Sequence, residues 1–366
     1  MRRWFISTVA ICLVQGCVSE PDIKCDKVLS LNLREVVPAA PESVESISYL
    51  PLETGDSCFF RNADKILFEN NLIYIADYRS GQILIYEMDG SLYAVLDRKG
   101  RGRGEYLDMM SFTVDSDYIY VLDNFNRKIF RYGSRDCRFD SASDLDFVAW
   151  DMEVLDNGDF IFAFSPLDGG RLMSPQAPGR ILFTDNDFSV KETLLDYGDN
   201  DYDIIGQRRY FSVEENRLIY SSIYFDGYIV FDRTDHNCMQ VVGIDFDNPI
   251  PTSRRKDPSV LDMNYNYQTM TPIACGDYMV MEIAEGDNIV NYVYNCSTDS
   301  FSKNPDILCR NCLYYPIASY NGCLVSVIES KTVYDEFIAA GFDKGDSCVD
   351  KSLEEGNPVL LFYRMK

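Results

Sequence analysis

Few side chains in this 366-residue sequence are placed for covalent chemistry. The one histidine, His236, lies in the polar stretch Thr234-Asp-His-Asn237, so a Ser-His-Asp relay would rest on that residue alone. No Gly-x-Ser-x-Gly elbow occurs in the chain. A two-acid glycosidase or lyase needs two carboxylates at a set separation, and among 58 acidic residues no spacing selects a pair. Zinc would need a second ligand pair beside Cys309-Arg-Asn-Cys312, and the other cysteines offer no matching spacing. Asp199-Asn-Asp-Tyr-Asp203 opens like a calcium loop, but Ile204 stands where that loop needs glycine and Tyr210 where it needs a bidentate acid. These residues assign no catalytic group, no metal and no cofactor, and they favour a binding role over an enzymatic one.

Cations are more informative. Arg98, Lys99, Arg101 and Arg103 fall within six residues, threaded through Gly100-Arg-Gly-Arg-Gly-Glu-Tyr106. A phosphate cradle would carry a Lys-Ser/Thr pair and lead into a helix, and this run does neither. Its glycines suit a tight passage from one strand to the next. The formal net charge of −24 excludes nucleic acid, whose phosphates need a cationic surface, and argues against a body adsorbed on anionic lipid.

The elements that must position these groups repeat along the chain. Six β-runs begin at Leu72, Tyr118, Asp159, Arg217, Tyr278 and Cys323, spaced by 46, 41, 58, 61 and 45 residues. That period is the length of a four-stranded propeller blade. Asp89-Gly90, Asn157-Gly158, Asp226-Gly227, Cys275-Gly276 and Asn321-Gly322 punctuate the runs as hairpin turns would. The spacing predicts an all-β, six-bladed β-propeller of four-stranded antiparallel blades, at 63–97, 109–140, 146–195, 208–246, 268–303 and 313–365. Val333–Gly341 reads as a short helical insertion in the last blade, with Val333, Phe337 and Ile338 on one face. Ile47–Glu53 and Pro358–Tyr363 are strands without sequence-adjacent partners, and pairing them closes the ring and removes two exposed edges.

The N-terminal residues read as an address. Arg2 and Arg3 precede the apolar stretch Trp4–Val14, too short to span a bilayer and suited to the core of a secretory signal. Leu13-Val-Gln-Gly-Cys17 resembles a bacterial lipobox. Residues 1–16 are thus expected to be a lipoprotein signal peptide, with Cys17 as the lipidated residue, 17–45 as a flexible tether, and 46–366 as the propeller domain. Losing Arg2 and Arg3 takes the formal charge from −24 to about −26. The ten cysteines that follow Cys17 show no disulfide framework and read as thiols or occasional disulfides.

The run Gly100–Tyr106 resembles the Gly-x-Gly-Pro-Gly-Glu-Tyr signature of six-bladed, NHL-like β-propeller lipoproteins of Gram-negative gut anaerobes. Tyr49-Leu-Pro-Leu-Glu-Thr54 and the closing Asn357-Pro-Val-Leu-Leu-Phe-Tyr363 are similar to that family too, and Arg103 departs from it where proline is usual. The resemblance spans about residues 45–365. It implies the propeller fold and a lipid-anchored place in the cell envelope, at the outer membrane, facing the periplasm or the surface. It implies no reaction.

In such a blade the loops joining strands two and three, and those leading to the next blade, emerge on one face. These loops carry Tyr78, Arg79, Phe125, Arg127, the 98–103 cluster, and the pairs Arg208/Arg209 and Arg254/Arg255. The opposite turns at 115–117, 156–159 and 214–216 are acidic or neutral. The expected ligand site is therefore Tyr78, Arg79, Arg101, Arg103, Phe125 and Arg127, offered to an extracellular glycan, a peptide or an envelope protein. Two other readings stand beside it. A pore enzyme, such as a metal-assisted lyase or hydrolase, would show acids converging in the channel. A structural subunit of an envelope complex would show an extended apolar patch.

Overall fold

A computed structural model describes residues 24–38, 43–55, 59–164, 179–196, 207, 209–223, 225–234, 237–254, 257, 259, 264–286, 288–305, 309–310 and 312–366. Cys17, Asp199–Asp203, Arg208, His236 and Arg255 lie outside the described residues.

The first two strands are β1 (Lys27–Leu31) and β2 (Val44–Pro51). Blade one is β3–β6 (Lys65–Glu69, Leu72–Asp77, Gln82–Glu87, Leu92–Asp97). Blade two is β7–β10 (Ser111–Val114, Tyr118–Asp123, Lys128–Gly133, Phe139–Asp144). Blade three is β11–β14 (Asp151–Val154, Phe160–Ala163, Gly179–Thr184, Val190–Asp196). Blade four is β15–β18 (Phe211–Glu214, Arg217–Tyr220, Gly227–Asp232, Cys238–Phe246). Blade five is β19–β23 (Asn266–Gln268, Ile273–Cys275, Tyr278–Glu285, Asn288–Asn295, Ser300–Lys303), with β19 and β20 both on β21. Blade six holds β24 (Ala318–Tyr320), β25 (Cys323–Ile328) and β26 (Val359–Met365). All six repeating runs are second strands, as their period predicts.

Strand alternation explains why the blades form a ring. In β4, Tyr74 and Ala76 pack toward blade two with Phe112, Ile119 and Val121, while Ile73 and Ile75 pack toward blade six with Val325 and Leu360. Each second strand is therefore apolar on both faces, the signature of a strand sandwiched between sheets. Six such buried clusters occupy the six junctions between neighbouring blades.

Closure follows the expected pairing. β2 runs antiparallel to β26, with Ile47 opposite Tyr363 and Tyr49 opposite Leu361. Blade six thus has the order β2-β26-β25-β24, its outer strand supplied by the N-terminal side of the chain. Glu53 then donates its backbone N–H to Gly90 at 2.8 Å and accepts from Leu92 N–H at 3.0 Å, fastening blade six to blade one. Gly90 has φ +86°, and a Cβ there would lie 2.0 Å from the Pro51 carbonyl oxygen, so only glycine lets the closing strand pass.

Two features differ from expectation. The tether reading does not hold at 27–31. β1 pairs parallel with β18, and Leu29, Leu31 and Leu33 are buried between blades four and five. Lys303 N–H then bonds the Val37 carbonyl at 2.9 Å, so residues 27–38 lie along the outer edges of blades four and five, and residues 44–53 along that of blade six. The helical insertion is also double. α1 (Lys331–Ala339) buries Phe337 and packs Val333 and Ile338 against the same cluster. α2 (Ser347–Glu354) is capped by Asp346, whose carboxylate accepts from Cys348 and Val349 N–H. Its sequence hides it, because only Val349 and Leu353 are apolar anchors in a charged stretch.

Ending the chain at residue 356 would remove β26, the strand between β2 and β25. The truncated protein is expected to lose soluble yield and its cooperative unfolding transition, since two long edges become unpaired. Unchanged solubility and melting temperature would show that closure does not depend on this strand.

Candidate functional site

The first strands of the blades line a central channel, and one cation dominates its chemistry. Lys65, at the start of β3, is 6% exposed. Its Nζ lies 3.0 Å from Asp151 and 2.6 Å from Glu153, both on β11 of blade three. It also donates to the Met152 carbonyl at 3.2 Å. Period-two alternation aims Asp151 and Glu153 from one strand at the same point. Ser111 donates to Asp151 at 2.6 Å, Thr113 donates to Glu153 at 2.7 Å, and the backbone N–H groups of Tyr210 and Phe211 donate to Asp151 at 3.0 and 3.1 Å. Four blades thus meet on one ammonium and two carboxylates.

Burial alone would lower the Lys65 pKa, but the facing charges of Asp151 and Glu153 outweigh it and hold the ammonium well above the ordinary lysine value. Burial pushes the Glu153 carboxyl up, Lys65 opposes that, and Asp151 adds to it.

A second cation serves the other half of the ring. Arg209, just before β15, donates to the Thr271 carbonyl at 3.0 Å and the Ile317 carbonyl at 3.2 Å, reaching blades five and six. Burial lowers its pKa. Arg209 was expected on the cationic face and is instead directed into the channel. Below this polar layer, a cavity of about 190 Å³ is lined by Glu69, Glu153, Glu214, Arg233, Ser212 and Tyr320, among others. The acids that a pore enzyme would need are therefore present, but Asp151 and Glu153 are engaged by Lys65, and Glu214 by Arg217 and the Gly276 N–H. The sequence did carry a trace of the hub, in the alternating acids of Asp151-Met-Glu-Val154 within an otherwise apolar run.

The glycine-rich run proves to be a clip. Gly102 N–H donates to the Glu105 carboxylate at 2.7 Å, and a Cβ at Gly100 would lie 2.0 Å from Glu105 Oε2. Tyr106 is fully buried, and its hydroxyl donates to the Gly81 carbonyl at 2.7 Å. Glycine is needed here so that the loop can fold over its own glutamate, which turns Arg101 and Arg103 outward.

Arg101 and Arg103 line an open groove of about 810 Å³ with Asn126, Lys128, Phe139 and Asp140. Phe125 and Arg127 flank Asn126 in the exposed turn between β8 and β9, and Phe125 is 78% exposed. Arg79 is exposed in the β4–β5 turn, where its carbonyl accepts from Lys99 at 3.3 Å. Arg79, Arg101, Arg103, Phe125 and Arg127 therefore share one end of blades one and two. Tyr78 does not present itself there: its ring enters the channel, where its hydroxyl meets Ser111. Burial raises its pKa against the pull of Lys65.

Replacing Lys65 by methionine leaves two buried carboxylates without a counter-ion and is expected to cost about 3–5 kcal/mol at neutral pH. Carboxyls whose folded pKa is raised lose stability as pH rises through the range in which they ionise, so the deficit should shrink toward pH 5. Denaturant titrations at several pH values measure this, and a small, pH-independent loss would contradict it.

The fold has relatives of known structure. A protein of Bacteroides fragilis NCTC 9343, designated an exported protein, superposes with a TM-score of 0.76 at 20% identity, covering 93% of this chain and 100% of that one. A member of the duf4221 family from Bacteroides vulgatus ATCC 8482 superposes with a TM-score of 0.51 at 12% identity, covering 88% and 97%. No curated protein matches the sequence. A family model described as a domain of unknown function, DUF4934, matches residues 38–364, and the chain belongs to that family.

Proposed function

We propose that this protein is an exported, lipid-anchored component of the cell envelope whose propeller binds an acidic glycan or acidic peptide through the cationic rim of blades one and two. The observation that carries the reading is the groove beside blade two. Arg101 and Arg103 stand exposed on its wall, Lys128 lines it, and the exposed ring of Phe125 lies one residue from Asn126 in the same lining. Guanidinium groups match carboxylates bidentately, and a neighbouring aromatic ring offers a face to a sugar or an apolar side chain. The cavity at the opposite end carries Glu69, Glu153, Glu214 and Glu215 against Lys65, Arg209 and Arg233, so it holds no cationic surplus. A ligand carrying negative charge is thus steered to one end of a strongly acidic protein.

Export and anchoring are supported by the N-terminal signal, by Cys17 in its lipobox-like setting, and by the exported-protein designation of the Bacteroides fragilis relative.

Reversing charge in an Arg101→Glu/Arg127→Glu variant should abolish retention on immobilised polygalacturonate and on a poly-glutamate peptide. Stability should move by no more than about 0.5 kcal/mol, as for surface substitutions generally. Wild-type binding should also weaken as salt is raised. Full retention by the variant would defeat this assignment. Separately, Cys17→Ala should move the protein from the membrane fraction to the soluble fraction and remove labelling by a fatty-acid analogue. Persistent labelling would exclude Cys17 as the lipidated residue.

A further inference from the structure

The nine cysteines among the described residues all stand as thiols, and most are scattered through separate blades. Cys309 and Cys312 are the pair closest in sequence. They close a turn between β23 and β24 in which Cys312 N–H donates to the Cys309 carbonyl at 3.0 Å. The Cys312 sulfur folds back and accepts from the Cys309 backbone N–H at 3.5 Å. A turn with this bond holds its end Cα atoms within about 7 Å, a limit that overlaps nearly all of the span of about 4.4–6.8 Å over which disulfides form.

We propose that Cys309 and Cys312 form a reversible intramolecular disulfide, a thiol–disulfide exchange site on the loop joining blades five and six. Half-buried Cys309 is the point of entry, whereas Cys312 is buried in the core beneath α1. Burial pushes the Cys312 thiol up, which leaves Cys309 as the first attacker. The co-reactant is an external disulfide. Cys309 loses its proton and its thiolate attacks one sulfur of that disulfide, forming a mixed disulfide and expelling a thiolate. Cys312 then loses its proton and attacks the Cys309 sulfur, forming the internal bond and expelling the second thiolate. Two electrons pass to the external disulfide, and the two expelled thiolates take up the two protons.

Such a short loop gains little from constraining the unfolded chain, so the redox poise of the surroundings decides its state. The turn is well placed to report that state. Arg310, between the cysteines, pairs with Asp343 in the α1–α2 connection at 3.3 Å, and Tyr314 N–H bonds the Tyr363 hydroxyl on the closing strand at 3.1 Å.

The folded full chain is equilibrated in glutathione buffers of graded oxidised-to-reduced ratio, then alkylated, cut with trypsin and analysed by mass spectrometry. Trypsin cleaves after Arg310, so the bond appears as two peptides held together and released by reductant, and fragmentation between residues 312 and 323 of the second peptide shows which cysteine carries the link. The expected result is that this pair forms progressively with the ratio, and that Cys312→Ser instead retains a glutathione adduct on Cys309. Two free thiols at every ratio, separate adducts on both residues, or linkage of either to another cysteine would overturn the proposal. Cellular location plays no part in this assay, so its outcome is independent of the export reading.

Discussion

An ammonium buried at the hub is the constraint around which the rest of this propeller is arranged. Lys65 draws Asp151 and Glu153 together across the channel, and those carboxylates then gather Ser111, Thr113 and the Tyr210 and Phe211 N–H groups. The apolar clusters between blades hold neighbours together, but they act only on adjacent pairs and do not set the diameter of the ring. The hub links blade one to blade three, which do not touch through their sheets, and also ties blade three to its neighbour blade four. Arg209 does the same for blades four to six by taking backbone carbonyls in place of carboxylates. Buried ions of this kind contribute little net stability over an apolar substitute, yet removing one partner is costly because the others remain buried and charged.

This arrangement separates the two ends of the channel. At one end the β4–β5 and β8–β9 turns carry Arg79 and Arg127 and the loop from blade one to blade two carries Arg101 and Arg103, and at the other Glu69, Glu214 and Glu215 line a small cavity. Because Asp151 and Glu153 are spent on Lys65, the channel's most buried acids serve the architecture. The groups left exposed to a ligand are the arginines on the rim. The glycine-rich clip explains why they are exposed. Glu105 folds back onto Gly100 and accepts from the Gly102 N–H, and it shares the groove lining with Arg101, Arg103 and Asp140.

Much of the fold was legible because it is repetitive and local. The second strands recur at blade length, and Asn or Asp before Gly marks the hairpins, so one period fixes the blade number and the strand boundaries. Closure was legible from two orphan strands. The hub was not, because Lys65 and Asp151 are separated by 86 residues and a charged residue in sequence reads as solvated. Arg209 and Tyr78 were placed on the rim for the same reason: a loop position says where the backbone goes but not which way a long side chain turns. β1 carried a signal that composition masked. Leu29, Leu31 and Leu33 alternate at period two, but they sit among prolines and polar residues that read as a tether.

The central claim is that Lys65 and the blade-three carboxylates act as one unit, and a double-mutant cycle of Lys65→Met and Glu153→Gln tests it most directly. Free energies of unfolding are measured for the four proteins in denaturant at neutral pH. The account predicts that Glu153→Gln recovers part of the loss caused by Lys65→Met, with a coupling of about 1–3 kcal/mol, because neutralising one orphaned carboxylate relieves the buried charge. Additive effects, with no recovery in the double variant, would contradict it.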